Sequence, residues 1–306
     1  MVGARGDFQM NDSDPKDVRT PSGPTQKPAG DASKPQITLA EALSNKWLEI
    51  WYQPKIDLKR KYLTGAEATA RVRHPRHGVL PPASFLADVD EKGLAELAQT
   101  ALLAALFDWE TFEEAGFNLH LSLNIPVAVL FKLPIPRLIA QNRPHSKRWP
   151  GLILEVTADE IARATAIGKD LAAHLRVSGI SIAVDHFGDG YASMASLRNL
   201  PFAELKIHQS FVTGCAVDAA NAAICQTAID LAHRFGSVAV AEDLERASDL
   251  QALIAMGCDF GQGTLIAPAM PKARLFELLR ASKSAKPAPA AKDAANTAPD
   301  SVGRVA

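Results

Sequence analysis

Short apolar runs alternate with stretches of helical period over roughly 245 residues, and this alternation limits the fold more than any other feature of the chain. The runs lie near residues 48–54, 63–72, 119–125, 152–157, 181–187, 204–208 and 237–244, with a less regular one at 259–266. Between them, residues 94–113, 159–178, 221–235 and 246–256 repeat apolar side chains at helical spacing. Strand–helix alternation of this kind implies a mostly parallel sheet, open or closed, and the length matches the ~250 residues typical of a (β/α)8 barrel.

The polar residues inside the runs carry the chemistry. Asn124, Glu155, Asp185, Lys206 and Glu242 each fall late in a run, and Gln262 falls in the last one. In a parallel barrel the strand C-termini open on one face, so residues as far apart as Asn124 and Gln262 would converge on one mouth. With Glu67 of the second run, the carboxylates and the Asn124 amide make an all-oxygen donor set, which suits Mg²⁺ or Mn²⁺ better than zinc. Lys206 adds a cation suited to a phosphate oxygen or an activated water. Such a mouth is built for a phosphodiester.

Composition removes several alternatives. Lys plus Arg number 33 against 34 Asp plus Glu, a net charge of −1, so bulk attraction to a nucleic-acid polymer is not expected. Cys215, Cys225 and Cys258 form no CxxC and no zinc-finger spacing, as expected of a protein from a reducing cytoplasm. No apolar stretch reads as a signal peptide or a membrane span, so no membrane partner is expected. Residues 1–36 are rich in Pro, Gly, Ser and Asp and read as a disordered arm; residues 282–306 read as an Ala/Pro/Lys tail. The barrel domain is therefore expected at 37–281.

The ordered segments WYQPKIDLKRKYLTGAEATARVRHPRHGVLPPASFL, LSLNIP, LILEVT, IAVDHFGDGYASMASLRNLPFAELKIHQSFV, VAVAEDLE and GCDFGQGTLIAPAMP resemble the successive motifs of the EAL domain family over about residues 47–272. The resemblance implies a TIM-like barrel with an antiparallel first strand, and cyclic di-GMP as ligand or substrate across its mouth. In active members two divalent cations activate water for in-line attack, releasing linear pGpG. It implies metal ligation by Glu67, Asn124, Glu155, Asp185 and Glu242, with Glu67, Lys206 and Glu242 catalytic. Gln53, Arg71, Asp185 and Gln262 are implied to bind the nucleotide.

The departures from the family pattern are equally specific. EAL reads Glu67-Ala68-Thr69, EVTE ends in Ala158, DDFG reads Asp185-His186-Phe187-Gly188 and KID ends in His208. Asp243 stands for the glycine of AEG, and Asp189 for a loop Thr. Catalytic metal pairs sit ~3.5–4 Å apart and a carboxylate can bridge them, whereas imidazole cannot. The expectation is an impaired phosphodiesterase acting as a cyclic di-GMP-binding or protein-interaction regulator, holding one metal or none. An active enzyme of unusual metal preference and a nucleotide-independent scaffold remain as alternatives. A protein partner and a homodimer follow by resemblance only. Neither a GGDEF motif nor a sensor module is recognisable.

Overall fold

A computed structural model describes residues 37–163, 169–188, 197 and 200–284. The alternation becomes a closed barrel. Its staves are β1 (Leu48–Asp57), β2 (Leu63–His74), β4 (His120–Asn124), β5 (Leu152–Thr157), β6 (Ile180–Phe187), β7 (Glu204–Ile207), β8 (Val238–Ala241) and β9 (Phe260–Gly261). The short β3 (Gly78–Leu80) and β10 (Met270–Pro271) extend the sheet beyond β2 and β1. Strand β1 runs antiparallel to both neighbours, β2 and β9, while β2 and β4 to β9 pair in parallel around the rest of the wall. The expected eight-stave barrel with an antiparallel first strand is what the chain forms.

The helices cover the wall where the period-3.6 stretches were read. Helix Glu91–Glu114 begins at Asp90, whose carboxylate accepts from the Gly93 N–H, and buries Leu102, Ala105, Leu106, Trp109 and Phe112 against the strands. Residues 159–178, read as one helix, divide into Ala158–Arg163 and Lys169–Val177, and the segment between lies outside the described residues. The last helix, Lys272–Ser284, runs past the boundary expected at 281. The arm 1–36, residues 285–306 of the tail and Asp189 also lie outside the described residues. No helix among those described is long and apolar enough to cross a membrane. Gly65 permits β2 to close on β4, because a Cβ there would meet the His120 carbonyl oxygen at 2.3 Å.

Candidate functional site

Parallel register brings the polar run-ends to one level. Glu67 lies opposite Ser122 on β4, Asn124 opposite Glu155 on β5, and Lys206 opposite Val240 on β8. The ladder then continues past the strand ends: Glu242 donates its N–H to Ile207, Gln262 to Ala241, and Leu244 to Gln262. These backbone bonds fix where the Glu242 and Gln262 side chains leave the wall. Gly263 allows the turn, since a Cβ there would meet the Leu244 nitrogen at 2.1 Å.

Lys206 is the hub. Its ammonium, 1% exposed, lies 2.6 Å from Glu155, 2.8 Å from Glu242, 3.2 Å from Glu67 and 3.4 Å from Asp185. Asn124 donates to Glu67 (2.9 Å) and to Glu155 (3.3 Å), and Gln262 donates to Glu67 at 2.7 Å. One ammonium faces four carboxylates, so full ionisation leaves three negative charges in excess. Burial, reinforced by Glu67 and Asp185, pushes the Glu155 carboxyl up to about 7. Burial likewise raises Glu242 well above the ordinary carboxylate range. Burial opposes the charge on Asp185 too, yet Lys206, His186 and the His186 N–H together hold its carboxyl low. The four carboxylates in turn raise Lys206 well above its ordinary value against the cost of burial, so it stays charged.

A divalent cation fits this arrangement. Glu155 gives Oε2 to Lys206 and Asn124, while its buried Oε1 has no hydrogen-bond partner, and a buried oxygen of that kind costs free energy unless something positive approaches it. Glu67, Asn124, Glu155, Asp185 and Glu242 would hold the cation through oxygen. The cation would supply charge for a phosphate group and acidify a water.

The altered positions have distinct fates. Between Val184 and Phe187 the pairing of β6 with β7 shifts, a bulge in which His186 takes a left-handed backbone, φ +54°. Its ring is half exposed, with Nε2 3.6 Å from Asp185 Oδ2. His208 lies beside the site and caps helix Gln209–Val212: its Nδ1 accepts from the Ser210 N–H, and its ring meets that of His186 edge-on at 5.0 Å. Asp243, standing where the family has glycine, takes a left-handed backbone, φ +47°, a conformation Asp adopts more readily than most residues. At Ala158 helix Ala158–Arg163 has begun, and Asp159 turns away to Arg163. Glu160, which sequence reasoning passed over, accepts from the Thr157 hydroxyl at 2.9 Å and from the Val127 N–H at 3.3 Å, tying β5 to the chain after β4. The signal was a Thr with Glu three residues on at a helix start.

One edge of the mouth is built on the β1–β2 ladder. Gln53 pairs with Glu67 and Trp51 with Thr69, so these side chains share a face with Arg71. Arg71 donates to the Thr69 hydroxyl and to the Ala70 carbonyl, both at 2.9 Å, and its guanidinium lies 5.9 Å from the centre of the Trp51 ring. Thr69 therefore orients the arginine, a role the missing leucine could not have. Trp51 was not anticipated; its two-residue spacing from Gln53 was the available signal.

A barrel of this topology, with oxygen donors and one lysine at its C-terminal mouth, defines a class of α/β-barrel proteins equipped to hold a divalent cation and a phosphate ester. The chain belongs to the EAL domain family, whose model matches residues 37–269. It is 33% identical over 269 residues to a cyclic di-GMP phosphodiesterase of Pseudomonas aeruginosa, covering 83% of this chain and 44% of that protein. It is 29% identical over 241 residues to the phosphodiesterase RocR of the same organism, covering 78% of this chain and 62% of RocR. The chain thus spans about half of the length of these relatives. Among solved structures, the MucR phosphodiesterase in complex with c-di-GMP matches at a TM-score of 0.70 and 29% identity, covering 78% of this chain and 97% of that one. The EAL enzyme Bd1971, in its cAMP- and cyclic-di-GMP-bound form, matches at 0.71 and 27%, covering 79% and 67%.

Proposed function

We propose that this chain binds cyclic di-GMP across the barrel mouth and hydrolyses it poorly, so that it acts in cyclic di-GMP signalling as a ligand-sensing or partner-binding regulator. One observation carries the reading: where active members have the second aspartate of their loop, a half-exposed imidazole stands 3.6 Å from Asp185. Two Mg²⁺ ions held ~3.5–4 Å apart need bridging oxygens, and this ring offers none. The residues that touch nucleotide in the family, Gln53, Arg71 and Gln262, are retained on the same face. Relatives named as cyclic di-GMP phosphodiesterases and neighbours whose structures hold the nucleotide support it as the ligand. The three thiols are buried and unpaired, in keeping with a cytoplasmic site of action. A protein partner or a second copy of the chain would read the bound state.

Calorimetric titration of cyclic di-GMP, first with Mg²⁺ and then with chelator, tests this together with turnover. We expect binding, slow release of pGpG with Mg²⁺, and a rate raised at least tenfold in His186→Asp. Silence in both titrations would overturn the nucleotide reading in favour of an interaction scaffold. Full Mg²⁺-dependent turnover by the unaltered chain would overturn the impairment.

A further inference from the structure

The bulge in β6 does more than shift the pairing with β7. In a regular strand, consecutive side chains leave opposite faces; here the left-handed turn at His186 brings two neighbours to the same mouth. Asp185, His186 and Glu242 each offer a ligand atom, and these atoms lie within 4.8 Å of one another. Among the described residues this is the one group of three or more His, Cys, Asp or Glu with that geometry. We propose that Asp185, His186 and Glu242 hold a divalent cation of the zinc class through one nitrogen and two oxygens, so that the mouth selects this cation over magnesium. The inference rests on the mouth being the cation-and-nucleotide site described above, and names the cation it takes.

Donor chemistry sets the preference. Magnesium demands near-octahedral oxygen and gains little from imidazole, whereas zinc and its neighbours bind imidazole well. Three protein ligands with a fourth position left for water or ligand are the usual arrangement of reactive zinc centres. Ligands about 2.1 Å from a tetrahedral zinc ion stand about 3.4 Å apart. The ligand atoms here lie within 4.8 Å of one another, so the widest pair must close by up to about 1.4 Å for tetrahedral geometry, a movement open to the His186 ring because its side chain is 50% exposed. Lys206 approaches Oδ1 of Asp185 and Oε1 of Glu242 from inside the barrel, while Oδ2 of Asp185 faces His186. Ammonium and cation would divide the carboxylates between them. The unpartnered Glu155 Oε1, buried in the same cluster, is an independent sign that a single ammonium does not satisfy the site. His208 is held to Ser210 and packs edge-on against His186, so it supports the ring without ligating.

The test uses the full chain, stripped with chelator and free of nucleotide. Calorimetry with Zn²⁺ and with Mg²⁺ should give one equivalent of zinc bound more tightly than magnesium. In His186→Asn, a residue that also accepts the left-handed backbone, zinc affinity should fall by at least the about 10-fold to 100-fold that loss of even an outer-sphere partner costs. Pulsed electron paramagnetic resonance with Mn²⁺ as probe should show nitrogen modulation in the unaltered chain, a readout that survives if the variant fails to fold. Equal zinc affinity in a folded variant, tighter magnesium than zinc, or no nitrogen modulation would each overturn the inference. Nucleotide binding without zinc preference would sink this inference and spare the nucleotide reading; zinc binding without nucleotide binding would do the reverse.

Discussion

Two buried lysines stand in the same barrel and meet opposite company. Lys55 of β1 gives its ammonium to both oxygens of Glu204 at 2.6 Å, one charge against one, sealed from solvent. Two residues further along β7, on the same inward face and about 6–7 Å higher, Lys206 faces four carboxylates. The lower pair is complete and leaves no valence for a ligand. The upper cluster is overloaded with negative charge and has an orphaned oxygen, which is how a site looks when its charge is to be balanced by something that binds. Barrel wall and register are common to both layers; only the charge count separates structure from function.

The largest effect expected from breaking this contrast is at the closed pair. Lys55→Met leaves the buried Glu204 carboxyl without its partner, and should cost about 3–5 kcal/mol in urea unfolding, with no recovery on adding divalent cations. The double variant Lys55→Met with Glu204→Met should regain most of it. Lys206→Met should destabilise by a similar amount, about 3–5 kcal/mol, but here a divalent cation should restore stability, because the carboxylates it leaves can bind one. A Lys206 variant indifferent to cations would erase the distinction between the two layers.

Smaller, and specific to the upper layer, is a pH dependence. Unfolded, Glu155 ionises near its ordinary 4.5; folded, near about 7. The folded form holds the extra proton between those values, so this contribution to stability is full below about 4.5 and is lost as pH rises through about 7. Glu242, also raised by burial, adds in the same direction. Unfolding midpoints measured across that window should fall with pH, and Glu155→Gln should flatten the slope. The smallest effect is expected at Thr69→Val, which removes one hydrogen bond to Arg71: about 0.5–1.5 kcal/mol in cyclic di-GMP affinity by calorimetry, with the unfolding midpoint almost unmoved.

Much of the site was legible in the sequence because parallel strands end on one face: Asn124, Glu155, Asp185, Lys206, Glu242 and Gln262 were grouped from their phase alone, and they do meet. Glu67 joined them through the resemblance to the family and through its place in the second run, and lies in contact with Lys206. The capping role of His208 was not legible, since nothing in a one-dimensional motif says that an imidazole will turn to cap the helix that follows it. The Lys55–Glu204 pair went unread although Lys55 lies two residues from Gln53 and Glu204 two from Lys206, the spacing that puts each on the inward face.

By itself the sequence determined the barrel and the inventory of its mouth, because hydrophobic period fixes element type and strand polarity fixes which end each polar residue reaches. Tertiary structure decided the rest. Only closure of the sheet sets one ammonium among four carboxylates, only the bulge in β6 turns Asp185 and His186 to the same side, and only packing bonds Arg71 to Thr69. Charge balance and side-chain direction depend on distances of a few ångströms between residues far apart in the chain. No local pattern encodes such distances until the strands are joined.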